Sequence, residues 1–334
     1  MRFAGKAMTS VFIGCTLLLA QPFAQSKPAV DDAPATPPAP PVRAPLTKLT
    51  PEASIAVAGD RDLVATSDAM WILNRTSPAL QKVDPKTDTV ASTIALTSTP
   101  CAGALSAFGG VWAGDCKTPA ILRVDPVAGK VAATIALSST GAAGAMATGV
   151  GSVWALIDRK GTLSRIDPDT NQILAEIYLP AGSAALAFGE GALWIADSKG
   201  NSVTRVNPYT NVIGESVTVG KAPVAIATGG GAVWTLNGGD GTVSRIDPKT
   251  NKVTTTIKTG TTGTIGAIVF GEGALWVSVP GQPLSRIDPS ANRLVHQFAG
   301  PGGGALAIGF KSLWINATAD AVWRIDPKRV EATR

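Results

Sequence analysis

Apolar residues along this chain come in short bursts, set apart by Gly-rich and Asp-Pro turns, and the whole arrangement returns about every 40 residues. Some bursts are apolar at consecutive positions, such as Ala184-Ala185-Leu186-Ala187-Phe188 and Ala192-Leu193-Trp194-Ile195-Ala196. These read as strands covered on both faces. Others alternate with threonine, as in Val253-Thr254-Thr255-Thr256-Ile257, and read as half-exposed strands. Each period therefore predicts four strands, a to d. In the fifth copy they fall at 224–228, 232–236, 242–247 and 252–258. Gly229-Gly230-Gly231 turns a into b. Asp247-Pro248-Lys249-Thr250-Asn251 turns c into d, with proline presetting φ and the Asp carboxylate accepting from amides ahead of it.

Two markers fix the number of copies. Trp71, Trp112, Trp154, Trp194, Trp234, Trp276 and Trp314 follow one another at intervals of 41, 42, 40, 40, 42 and 38 residues. After each comes a segment of the type Ser-Arg-Ile-Asp-Pro, clearest at Ser244-Arg245-Ile246-Asp247-Pro248 and most altered at Lys82-Val83-Asp84-Pro85. Small residues crowd strand a, as they must where several innermost strands converge on an axis. The fold predicted is all-β: a seven-bladed β-propeller of four-stranded antiparallel blades. The last copy lacks a clear strand d, while residues 53–58 before the first copy have the pattern of one. The N-terminal segment is expected to complete the last blade and close the ring, hiding an edge that invites aggregation.

The repeats occupy residues 50–334. Ahead of them, residues 1–25 read as a signal peptide, with Arg2 and Lys6 before an apolar run of 13 residues from Met8 to Ala20, short for a membrane span. Residues 26–49 read as a Pro/Ala-rich disordered linker. The chain is expected to be periplasmic or secreted, with no membrane span in the mature protein. A lipoprotein signal through Cys15 is the lesser alternative, because the apolar run continues past the cysteine. Loss of Arg2 and Lys6 lowers the formal net charge of +5 by two. That balance, with 2 Tyr and 8 Phe in 334 residues, argues against a nucleic-acid partner. A monomer is expected.

Cys101 and Cys116 lie about equally far from the turn at Gly109-Gly110, so a hairpin brings them face to face. In an oxidising compartment they are expected to form a disulfide.

The repeat carried by Gly189-Glu190-Gly191-Ala192-Leu193-Trp194 and Gly241-Thr242-Val243-Ser244-Arg245-Ile246-Asp247-Pro248 is similar to that of the virginiamycin B lyase-like propellers and the broader YVTN-repeat proteins. The resemblance implies the seven-bladed fold. Lyases of that family open a cyclic depsipeptide by elimination, with a histidine base and glutamates that hold Mg²⁺ on the top face. The one histidine of this chain, His296, falls in an outer strand d. Glu190 and Glu272 fall in a–b turns on the opposite side, and Glu176 and Glu215 in outer strands. No lyase residue carries over, and no residue is assigned a catalytic role.

The d–a and b–c loops of a propeller gather on its top face, the usual ligand site. The d–a loops here, such as Gly260-Thr261-Thr262-Gly263 and Ser138-Ser139-Thr140-Gly141, offer amides and small hydroxyls but no general base. The b–c loops place Asn74, Asp115, Asp158, Asp197, Asn237 and Asn316 at matching positions, with Arg159 and Lys199 beside them. Such a ring is a candidate ligand site and would suit Ca²⁺ or Mg²⁺, although no cofactor is required by any motif. The plainer reading is that each Asx caps its turn, since one site does not need every blade. Arg159, Lys160, Lys117, Lys199 and Lys221 together read more plainly as a solvated rim. The expected function is a non-catalytic exported propeller that binds a protein partner or small ligand on its top face. The alternative is a divergent metal-dependent lyase or lactone hydrolase using top-face aspartates.

Overall fold

The computed structural model describes residues 39–138, 144–158 and 160–334. The expected signal peptide, Cys15, the first part of the linker, residues 139–143 and Arg159 lie outside the described residues.

Seven sheets are formed, each with strands a to d in that order across it, and the sheet of blade 6 carries a fifth strand beyond d. Strand a of blade 1 is Arg61–Ala65, and its strand d is Thr89–Ala95. In blade 5 the strands are Pro223–Gly229, Ala232–Asn237, Thr242–Asp247 and Lys252–Lys258, within one residue of the sequence expectation. Strand b is buried throughout, while strand d of the same blade alternates between exposed and covered positions, with Ile257 its one buried residue.

Ring closure follows the sequence expectation. Strand β2 (Ala53–Ala56) pairs antiparallel with Ala321–Ile325 of blade 7, with Ala53 opposite Arg324. The seventh Asp-Pro does not turn into a fourth strand. Asp326 instead caps the short helix α1 (Pro327–Ala332), accepting from the Lys328 amide, because β2 already fills the place of strand d.

The folded unit begins earlier than the sequence suggests. Strand β1 (Val42–Pro45) adds in parallel to the outer edge of blade 6, with Val42 opposite His296. Leu46 and Leu49 are buried in the core cluster between blades 6 and 7. The Pro/Ala-rich composition masked three aliphatic side chains, Val42, Leu46 and Leu49, spaced to reach a sheet edge and the core beside it.

Each tryptophan packs into the seam toward the next blade: Trp234 lies with Ile268, Leu275 and Ile287 of blade 6. Six of the seven indole N–H groups donate to the backbone carbonyl five residues earlier, as Trp234 does to Gly229 at 3.0 Å. The marker arginine lies over the ring, 5.1 Å away for Arg245 and Trp234. In blades 2 to 5 and 7 it then reaches the c–d turn of the following blade, while Arg286 of blade 6 pairs with Glu331 of α1. Arg245 Nη1 donates to the Pro289 carbonyl at 3.2 Å and to Asn292 Oδ1 at 2.8 Å. Arg324 repeats the contact across the closure, to Pro85 O at 2.6 Å and Asp88 at 3.0 Å. One residue thus covers the indole and clamps two blades. The Asp of the marker is not its partner: Asp247 accepts from Lys249 and Thr250 amides of its own turn. The turn-ending residue has positive φ, 55° at Asn251 and 51° at Asn292, which explains the repeated asparagine.

Candidate functional site

On the top face the b–c loop residues are spent on their own turns. Asp115 Oδ1 accepts from the amides of Lys117 and Thr118, and Oδ2 from the Thr118 hydroxyl. Burial raises the Asp115 carboxyl, but the Thr118 hydroxyl and the turn amides outweigh it and hold the pKa below the ordinary value. Asp158 Oδ1 takes three amides, from Lys160, Gly161 and Thr162. Asp197 takes those of Lys199 and Gly200. Asn74 accepts from Ser77 and donates to Ala58 O. Asn237 is fully buried and donates to Thr242 and Ser244. These residues form rigid loop bases, and their carboxylates point into turns. Among the described residues no three His, Cys, Asp or Glu converge as metal ligands.

The loops present lysines outward, beside exposed Asp60, Asp240 and Asp320. Lys117, Lys160 and Lys199 follow the capping residues of blades 2, 3 and 4, Lys221 lies in the d–a loop leading into blade 5, and all four are exposed. Blade 1 contributes a different cluster. Arg75, in its b–c loop, pairs with Asp60 and Asp62, and Asp62 also accepts from the Gly103 amide of blade 2 at 2.9 Å. Burial raises the Asp62 carboxyl above its ordinary value, against the opposing pull of Arg75 and the Gly103 amide. Arg61, 2% exposed, enters the seam toward blade 7 and donates to Thr318 O at 2.7 Å. Burial lowers its pKa from the ordinary arginine value. Arg61, Asp62 and Arg75 were missed in the sequence. The signal was there: strand a elsewhere is small or apolar, as in Pro223-Val224-Ala225, whereas blade 1 opens on Arg61-Asp62.

His296 sits in the outer strand of blade 6, 8% exposed, with Nε2 3.2 Å from Thr333 O and its ring stacked near Phe298. It lies between β1 and the C-terminal segment, away from the loops of the top face. Cys101 and Cys116 are joined in a disulfide with Cα atoms 5.0 Å apart, tying strand a of blade 2 to the loop after strand b.

Solved structures share this architecture. Virginiamycin B lyase from Staphylococcus aureus superposes with a TM-score of 0.70 at 17% identity, over 81% of this chain and 97% of that one. A catalytically inactive variant of the Staphylococcus aureus enzyme, determined with quinupristin, gives 0.69 at 17%, over 80% and 94%. The WD40 domain of Neurospora crassa Pan2 gives 0.65 at 12%, over 81% and 90%. The chain is a seven-bladed propeller of the same fold as these proteins. At such identities the likeness is one of fold, which hosts both lyases and binding domains. Comparison of the sequence with family models and with curated proteins gives no match.

Proposed function

We propose that the chain is an exported, non-catalytic propeller that binds a partner or small ligand carrying negative charge on its top face. The observation that carries this is the arc of exposed lysines on consecutive blades, held by loops whose carboxylates are already saturated by turn amides. Exposed charges on loop bases fixed by turn hydrogen bonds favour recognition, because little backbone order is lost on binding. Export is supported by the signal-like N-terminal sequence and by the disulfide. Among the described residues no helix is long and apolar enough to cross a membrane. The position of His296 supports a role without elimination chemistry.

Two measurements test the reading together. The chain is incubated with quinupristin and its products are read by mass spectrometry. It is also screened by thermal shift against carboxylate- and phosphate-bearing ligands, beside the Lys160→Glu/Lys199→Glu variant. No linearised depsipeptide, and a saturable stabilisation that the variant loses, are expected. Linear product, stoichiometric Ca²⁺ or Mg²⁺ in the purified protein, or stabilisation that survives charge reversal would overturn it.

A further inference from the structure

Four c–d turns end on an asparagine of positive φ, at Asn171, Asn211, Asn251 and Asn292, and one of the four departs from the others. At three seams the turn asparagine accepts from the marker arginine of the blade before it: Asn171 from Arg123 at 3.2 Å, Asn211 from Arg165 at 3.5 Å and Asn292 from Arg245 at 2.8 Å. Between blades 4 and 5 that bond is not made. Arg205 reaches only the Pro248 carbonyl, at 3.4 Å. Asn251 turns its amide nitrogen to Glu215 O at 3.1 Å, and its buried Oδ1 has no hydrogen-bond partner.

A cavity of about 580 Å³ opens at this seam, lined among others by Arg205, Thr210, Gly214, Glu215 and Asn251. Its size falls in the range of small-ligand sites, roughly 300–1,000 Å³. Gly214 helps to open it. In blade 3 the same register carries Leu174, since Ile173 pairs with Ile166 as Ile213 pairs with Val206.

We infer that this cavity is a binding site for a neutral polyhydroxylated ligand, a sugar ring. The wall holds one guanidinium with donors to spare, one carboxylate and one amide oxygen without a donor. An anion would meet the charge of Glu215 and a cation that of Arg205, both in the lining. A hydroxyl both donates and accepts, so adjacent hydroxyls donate to Glu215 while accepting from Arg205. The site lies beside the c–d turns, on the face opposite the lysine arc, and does not depend on the reading of that arc.

The test is saturation-transfer NMR on the full chain with glucose, galactose, mannose and N-acetylglucosamine, with inorganic phosphate as the anionic comparison. Two variants accompany it: Gly214→Leu, which fills the cavity with the side chain blade 3 carries, and Glu215→Ala, which trims an exposed side chain. Melting temperatures confirm that both fold. At least one sugar should bind, and both variants should weaken it by about tenfold or more, as loss of one or two hydrogen bonds to a ligand does. Transfer to none of the four sugars, binding of phosphate instead, or sugar binding that both folded variants retain would overturn the inference.

Discussion

Trp234 and Trp71 hold the same register in their blades, yet their indole N–H groups fare differently. Trp234 donates to Gly229 O, whereas Trp71 Nε1 is buried without an acceptor. The a–b turn of blade 1 is built as Thr66-Ser67-Asp68-Ala69 and closes on itself through Thr66 N–H to Ala69 O at 2.9 Å. Trp234→Phe is therefore expected to cost about 1 kcal/mol more than Trp71→Phe, the net worth of one neutral hydrogen bond, read from urea unfolding. His296 gives a pH dependence. Burial first, with Arg286 and Arg293 adding to it, lowers its folded pKa below 6.5, against the Thr333 carbonyl and Glu331. The unfolded chain then takes up a proton at a higher pH than the folded one. Stability from this group is present above about pH 6.5 and falls as the pH drops from there toward the folded pKa. His296→Gln should flatten that part of the melting-temperature profile. An unchanged profile would show that other groups control it.

At the scale of elements, the strands were legible because each obeys its own periodicity. Consecutive apolar residues such as 192–196 have no exposed side to spare, and Thr alternation such as 253–257 leaves one face wet. The segment after residue 41 was not legible. Its four-residue strand gains its hydrogen bonds from the edge of blade 6, more than 250 residues away, and no local pattern reports such a partner. The hairpin of blade 2 carries the disulfide, which closes a loop of separation 15. Replacing Cys101 and Cys116 by serine should lower stability by about 3 kcal/mol in the chain-entropy model, measured by denaturant unfolding under non-reducing conditions. Equal stability of the reduced and oxidised protein would contradict it.

Over the whole molecule, stability rests on closing the ring. Removal of residues 1–49 strips β1 with Leu46 and Leu49 but leaves β2, so the chain should not aggregate but should melt at a lower temperature. Removal of residues 1–58 also strips β2 and bares the edge of Ala321–Ile325, and aggregation on light scattering is the expected result. If both truncations behave alike, β2 is not the closing strand. The sequence by itself determined the blade count, the strand order, the closing segment and the cysteine pair. Each follows from periodicity or from distance to a turn, and these are properties of neighbours along the chain. Tertiary structure decided what the polar residues do. The aspartates of the b–c loops were visible, but only their turns show the carboxylates already occupied. The marker arginines were visible, but only the ring shows them clamping the following blade, and at Arg205 doing so without the turn asparagine. Hydrogen bonds at 3 Å between residues 40 to 250 positions apart have no signature in local order, because the chain's path around the axis alone sets which groups meet.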